Sequence, residues 1–332
     1  MSQSAVRGTG FYLGAWLAPL APFLDRDDVT DILVNRPGEV WVESLGGGIE
    51  RHDVPALGHP ALERLVRQIA AYSNQGVSRE HPLLAASLPD GGRVQVAMPP
   101  ATRGEIAIAI RRHVSADLTL NDYETAGAFE EMVQSGTVPA DNSTADMRAP
   151  GEFLKHAVRN RANVLISGGT ATGKTTFLNA MLREVPRHER LILIEDTPEL
   201  QVVQPNLVGL LAARSTLREA DITAEDLLVA ALRMRPDRII LGEIRGSEAM
   251  TFLRAINTGH PGSLATIHAD GPEKAVEQLA MLVLQGGSRL GWTDVVRYVR
   301  STIDIYVHLE RRNGRRTVQI TEARDLHPAH RA

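Results

Sequence analysis

Residues 168–175 read Gly168-Gly169-Thr170-Ala171-Thr172-Gly173-Lys174-Thr175, a match to G-x-x-x-x-G-K-[ST]. Glycines in such a run let the backbone turn tightly, so successive N–H groups converge on one anion. A helix that follows adds the positive end of its dipole to the same anion. Lys174 has the reach for a nucleotide's β- and γ-phosphates, and the Thr175 hydroxyl can ligate Mg2+. With Thr176, the nucleotide-binding set is Gly168, Gly169, Thr170, Ala171, Thr172, Gly173, Lys174, Thr175 and Thr176. The competing reading is a chance glycine turn. The flanks oppose it: an apolar strand precedes the motif at 163–167, and a helical segment follows from Lys174 to about Val185.

Downstream of this loop the order strand-then-helix repeats. Leu191 to Ile194 is a continuous apolar run, and Thr223 is placed to cap a helix reaching about Met234. Arg238 to Leu241 is a third buried strand, Ser247 is expected to cap the next helix, and Ser263 to His268 is a further strand. Continuous apolar strands alternating with helices argue for a parallel sheet covered on both faces. Ile303 to Glu310 and Arg316 to Thr321 flank Asn313-Gly314, a strong hairpin signal.

In a parallel sheet the C-terminal strand ends face the ligand crevice. The segment Arg238-Ile239-Ile240-Leu241-Gly242-Glu243 therefore delivers Glu243 beside the phosphates, where a carboxylate can activate water. Gly242 stands where many P-loop chains carry a magnesium-binding Asp. Water or another carboxylate must then complete the ion's shell, and Glu195 and Asp196, ending the Leu191 strand, are the suppliers in reach. His268 follows Thr266 at another strand end, which favours a phosphate-sensing role over that of a satisfied core histidine. His156, His188, His327 and His330 read as surface residues, and no His/Asp/Glu cluster has metal-site spacing.

The chain has 332 residues, net charge -4, 43% hydrophobic and 23% charged residues, and no cysteine. That composition is globular, long enough for two domains, and excludes disulfides, thiol catalysis and cysteine-ligated zinc. The acidic balance argues against a generally nucleic-acid-coating surface. Phe11 to Leu24 imitates a signal peptide, but Pro19 and Pro22 interrupt it and Asp25-Arg26-Asp27-Asp28 follows, so a buried N-terminal element is expected. Thr30 to Val34 and Glu39 to Glu43 form a hairpin pattern, Pro60 to Ala71 a helix, and Arg93 to Met98 and Glu105 to Arg111 further strands. Residues 1–134 thus read as an α+β domain. Ser135 to Pro150 is polar, aperiodic and the expected linker, and 151–332 is the α/β domain.

Four segments carry a family signature in this order: GGTATGKTT from Gly168, LILIEDTPEL from Leu191, LRMRPDRIILGEIRGSEA from Leu232, and GHPGSLATIHA from Gly259. Together they resemble the secretion ATPases, RecA-like motors of type II secretion, type IV pili and type IV secretion. NRPGEVWVE and PDGGRVQVAMPP most resemble the eleventh component of VirB-type type IV secretion and its conjugation relatives. The resemblance runs from about Leu20 to Glu310, and Gly242 agrees with it. It implies an α/β fold: a RecA-like P-loop NTPase domain preceded by a smaller α+β N-terminal domain, with nucleotide held between them. It implies ATP and Mg2+ as cofactors and a homohexameric ring, peripheral at the cytoplasmic face of the bacterial inner membrane. Secretion-channel components and coupling ATPases are the implied partners; direct nucleic-acid binding is left open. In such relatives two N-terminal arginines reach the terminal phosphate, and by position they match Arg93 and Arg111, with Arg112 a rival. Arg245 is a further candidate for charge stabilisation. The catalytic set is therefore Glu243, Lys174, His268, Arg111, Arg93 and Arg245.

The expectation is an ATP-hydrolysing motor that drives substrate transfer or pilus assembly in type IV secretion. A type IV pilus or type II secretion motor is the first alternative; the absent zinc cysteines and short N-terminal domain lower it. A RecA-like DNA helicase is the second, lowered by the missing basic, aromatic-interleaved stripe.

Overall fold

The computed structural model describes residues 13–44, 48–73, 75–112, 118–130, 149–170, 172–212, 222–312 and 315–326. They fall into two compact units. One holds the described residues of 13–112 with Ile222, the other those of 118–212 and 223–326.

The first unit is a six-stranded sheet in the order β3-β2-β1-β6-β5-β4, antiparallel throughout. Its strands are β1 (Val29–Val34), β2 (Glu39–Ser44), β3 (Ile49–Asp53), β4 (Leu83–Ser87), β5 (Arg93–Ala97) and β6 (Ala107–Arg111). Period-two alternation puts Val94, Val96, Ile108 and Ile110 on the buried face and leaves Arg93, Gln95, Ala109 and Arg111 on the other. The helix His59–Tyr72 contributes Leu62, Leu65, Val66 and Ile69 to that core, an i, i+3, i+4, i+7 stripe. Leu13, Leu17, Leu20 and Phe23 join them, so the described part of the N-terminal apolar run buries one face and leaves Gly14, Ala15, Ala18 and Pro22 exposed. The sequence reading passes over β3 and β4. β3 is a polar edge strand held by backbone pairing to β2, and β4 lacks clean alternation.

The second unit is a seven-stranded sheet in the order β13-β12-β7-β11-β10-β8-β9. Its strands are β7 (Val164–Gly168), β8 (Leu191–Glu195), β9 (Leu207–Leu211), β10 (Arg238–Ile244), β11 (Leu264–Ile267), β12 (Ile305–Arg312) and β13 (Arg315–Glu322). Neighbours from β12 to β9 run parallel, and β12–β13 is an antiparallel hairpin whose Asn313-Gly314 turn lies outside the described residues. β7, β8 and β11 are buried at every residue, the mark of strands covered on both faces.

Leu120, Tyr123 and Phe129, upstream of the expected domain boundary at 134, pack in this second core beside Phe177 and Leu178. A Thr119–Asp122 capping box starts their helix, Leu120–Thr125, and Tyr123 meets Phe177 edge-on at 4.9 Å. Residues 135–148 of the expected linker lie outside the described residues; Pro150 begins the helix Pro150–Arg159. Thr223 caps as expected, through a reciprocal pair with Asp226.

At the start of β10, Arg238 is 0% exposed and Glu189 3%. The guanidinium donates twice to that carboxylate and also to the carbonyls of Val158 (2.7 Å) and Gly262 (3.2 Å). Burial alone would raise the Glu189 pKa, but the hydrogen bond and charge of Arg238, with Arg161 added, hold it below the ordinary glutamate value. Removing one partner of a buried pair strands the other charge. Arg238→Ala should therefore cost about 3–5 kcal/mol in urea unfolding at neutral pH. Because the folded pKa is depressed, this stabilisation is present above the unfolded glutamate range and is lost as pH falls through the lowered value. The gap between wild type and variant should narrow on acidification; a loss under 1 kcal/mol at pH 7 would refute the assignment.

Candidate functional site

The buried strand β7 ends at Gly168, where the chain leaves the sheet with φ 159°. A Cβ there would lie 2.7 Å from the Leu309 carbonyl oxygen on β12 and 2.6 Å from Thr172 Oγ1, so only glycine fits. Gly173 closes the loop in the left-handed region, φ 94°, and is the N-cap of the helix Lys174–Leu182. No side chain caps that helix, which leaves its first N–H groups for an anion. Thr172 Oγ1 donates to the Gly169 carbonyl at 2.9 Å, and Lys174 Nζ donates to the carbonyls of Gly168 (2.9 Å) and Gly169 (3.1 Å). Burial pushes the Lys174 pKa below the usual lysine value; the Glu243 carboxylate opposes that and Arg245 adds to it. Thr175 and Thr176 stand half-buried on the first helical turn, Gly169 is half-buried and Thr170 exposed. Ala171 lies outside the described residues.

The strand ends gather the other candidates of this unit. Glu243 lies near the end of β10, and Arg245 donates to it and pairs with Asp196 at 3.4 Å. Leu241 pairs with Ala265 and Ile244 with Ile267, so three steps along β10 answer two along β11. This bulge falls on Gly242 and Glu243, and bulges beside active sites re-aim side chains. Thr266 Oγ1 donates to the Gly242 carbonyl at 2.6 Å, satisfying a group the disrupted ladder frees. A Cβ on Gly242 would touch Glu195 Cγ at 3.4 Å, so Glu195 lies against the backbone where other P-loop chains hang an Asp. Glu195 is buried, and its Oε2 accepts the N–H groups of Glu199 and Leu200, both at 2.8 Å. His268 is exposed just past β11.

One expected cap is corrected. Ser247 makes no side-chain hydrogen bond at the start of the helix Glu248–Asn257. Glu248 Oε1 accepts from Arg245 N (2.7 Å) and Gly246 N (2.9 Å) instead, fixing the turn that carries Arg245. The longer carboxylate reaches back to the exposed donors, whereas Ser247 has αR backbone geometry unlike an ordinary N-cap.

Arg93 and Arg111 belong to the first unit and are directly paired across β5 and β6, on the sheet face turned away from the core. Arg111 Nε donates to Asp31 at 3.0 Å. Arg112 faces the other way and its guanidinium donates to the Arg26 carbonyl. Register therefore favours Arg111 over Arg112 as the companion of Arg93.

The loop fits a nucleotide's phosphates: its glycines admit no Cβ at Gly168, and the helix N-terminus is uncapped. The donor set also fits Mg2+, since Thr175 and nearby acids are hard oxygen ligands.

A family model described as Type II/IV secretion system protein matches residues 15–307. The chain belongs to the type II/IV secretion system protein family. Among members of this family, the type IV secretion system protein VirB11 of Bartonella henselae is 36% identical over 318 residues, covering 90% of this chain and 89% of that protein. The PtlH homolog of Bordetella bronchiseptica, another type IV secretion system protein, is 37% identical over 316 residues, covering 92% and 93%. The solved structure of the pilus retraction motor PilT with bound ADP matches 88% of this chain and 78% of that one, with TM-score 0.58 and 18% identity, a likeness of fold. This type II/IV secretion protein thus has the fold expected, an N-terminal α+β domain and a RecA-like P-loop domain.

Gly168→Ala tests the loop directly. The added methyl must push β12 or the loop aside, with an overpacking cost of about 1–3 kcal/mol. The variant should lose nucleotide binding, measured by fluorescence of a labelled ADP; unchanged affinity would show that the close approach is dispensable.

Proposed function

We propose that this chain is the ATP-hydrolysing motor of a type IV secretion system, coupling ATP-driven motion of its domains to substrate transfer or pilus assembly. What carries the reading is one juxtaposition: Lys174 on the phosphate loop within electrostatic reach of the bulge-borne Glu243 and its partner Arg245. The close sequence relatives of nearly full coverage support type IV secretion over the other branches of the family.

In this reading Glu243 Oε takes a proton from the attacking water, oxygen bonds to the γ-phosphorus, and ADP leaves with the former bridging oxygen. Lys174 and the loop N–H groups hold the charge that accumulates on the leaving phosphates. Mg2+ would supply electrostatic neutralisation of the phosphate oxygens, held by Thr175 and, through water, by Asp196. Glu195 is the less apt of the two acids, because one of its oxygens is already committed to backbone donors. Arg245 would leave Glu243 to meet the transition-state charge, freeing the base in the same movement. His268, exposed at the neighbouring strand end, is suited to sensing the terminal phosphate. Arg93 and Arg111 are proposed to serve that same phosphate, on the strength of their paired placement and the family resemblance.

Lys174→Ala should abolish ATP turnover while far-ultraviolet circular dichroism stays native. Glu243→Gln should bind ATP normally yet hydrolyse it about two to four orders of magnitude more slowly, since an amide cannot accept the proton. A Glu243→Gln enzyme with wild-type single-turnover rate would remove the base from the scheme, and an Arg111→Ala enzyme with unchanged kcat and KM would remove that arginine.

The motor is also proposed to act as a homohexameric ring, peripheral at the cytoplasmic face of the inner membrane, with secretion-channel components and coupling ATPases as partners. Among the described residues no helix is long and apolar enough to cross a membrane. Multi-angle light scattering with a non-hydrolysable ATP analogue should give about six times the 36.2 kDa chain mass. A monomer at all concentrations would contradict the ring.

A further inference from the structure

The hairpin β12–β13 carries a feature that neither the fold nor the proposed hydrolysis uses. Near its end Arg311 pairs with Arg316, like charges directly opposite one another. Like charges so placed weaken a hairpin. The Arg316 guanidinium lies over the phosphate loop: a Cβ on Gly173 would be 3.4 Å from its Cζ and 3.5 Å from its Nε. Gly173 is the N-cap of the helix that starts with Lys174, so Arg316 adds a cation at the positive end of a helix dipole. Among the described residues no carboxylate forms an ion pair with Arg316.

The position is held from two sides. The β12–β13 register sets Arg316 on the strand, and Val318 N–H donates to the Ala128 carbonyl at 2.8 Å, tying β13 to the segment after the Leu120–Thr125 helix. That helix presents Tyr123 close enough for the Arg316 charge to oppose the upward shift that burial imposes on the phenol. Repulsion within the hairpin, the dipole and the missing acid all act against a cation here. An anion seated on the loop would offset all three.

We propose that Arg316 is a nucleotide-binding residue, a guanidinium that contacts the phosphates of the nucleotide seated on the 168–175 loop. The inference deepens the ATPase reading and rests on it. A planar guanidinium can meet two phosphate oxygens at once, which a second lysine could not. Unlike Arg245, Arg316 touches no carboxylate of the hydrolytic machinery, so its loss should weaken binding and spare chemistry.

The experiment measures labelled-ADP affinity, steady-state ATP turnover and nucleotide-free melting for wild type, Arg316→Gln and Arg316→Lys. Arg316→Gln should raise the ADP Kd and the ATP KM about tenfold, the loss of one charge-assisted contact, with kcat within about twofold. Its Kd should depend less on salt concentration than that of wild type, and its nucleotide-free melting temperature should be equal or higher because a repulsion is relieved. Arg316→Lys, which keeps the charge, should recover part of the affinity and remains informative if the glutamine variant folds poorly. Unchanged ADP affinity in a folded Arg316→Gln overturns the proposal. So does a lowered nucleotide-free melting temperature in both variants with an unaltered salt dependence, which marks a structural tie to Tyr123. Failure of wild type itself to bind ADP would instead sink the ATPase reading, a distinct result.

Discussion

At Gly168 two strands pass so closely that a methyl group would fall 2.7 Å from the Leu309 carbonyl. The rest of the second unit is arranged around that approach. Parallel pairing of β12 with β7 brings Leu309 opposite Gly168, so the phosphate loop departs from the sheet at a point fixed by its neighbour. Thr172 then folds back onto the Gly169 carbonyl, and Gly173 turns through the left-handed region into the helix. The loop is thus shaped by packing and backbone contact before any ligand is considered. Preorganised donors of this kind need no rearrangement at the moment of reaction, where their electrostatic effect is largest.

The charges around the loop form an unbalanced set. Lys174 rests on the carbonyls of its own loop, Arg245 bridges Glu243 and Asp196, and one oxygen of Glu195 is occupied by two backbone N–H groups. The acids are therefore largely engaged, while Lys174, Arg316 and the helix dipole converge on one small volume. In a partly desolvated site that imbalance favours a polyanion, whereas the lowered Lys174 pKa comes first from burial, with Glu243 opposing it and Arg245 adding to it.

Much of this was legible in the sequence because the central strands are largely apolar. β7, β8 and β11 are buried at every residue and β10 from Arg238 to Leu241, and the loop motif fixes which end of the sheet matters. The unread elements fail for separate reasons. β9 alternates exposed and half-buried residues around a glycine at the sheet edge, so its Leu207-Val208-Gly209-Leu210-Leu211 carries no core signal. The helix Pro150–Arg159 begins at the final proline of a segment whose composition reads as linker. The helices Pro272–Gln285 and Trp292–Thr302 did carry a signal, since Ala275, Val276, Leu279, Ala280 and Val283 in the first, and Val295 and Val299 in the second, recur at helical spacing. At the site, Lys174, Glu243 and Arg245 are brought together as the motifs imply. Arg316 is invisible at that level: in Arg315-Arg316 it reads as solvated turn charge, and only strand register places it on Gly173.

Strand β10 shows how the two ends of one element divide the work. Its first residue, Arg238, is locked by Glu189, Val158 and Gly262 at the strand end away from the phosphate loop. Continuous parallel pairing with β8 from Arg238 to Leu241 carries that fixed register forward. The bulge then interrupts pairing with β11, and at about 3.3 Å per residue it lies some four residues, roughly 13 Å, from the anchor. A bulge alone would leave a free carbonyl and a loosely aimed side chain. Thr266 takes up the Gly242 carbonyl, and Gly242, lacking a Cβ, leaves room for Glu195 against the strand. Glu243 is thereby directed by a distortion that is itself hydrogen-bonded, at the end of a strand whose origin cannot slide. On the proposed role of Glu243, the buried ion pair would serve the chemistry without touching it, by holding the register of the strand that carries the bulge.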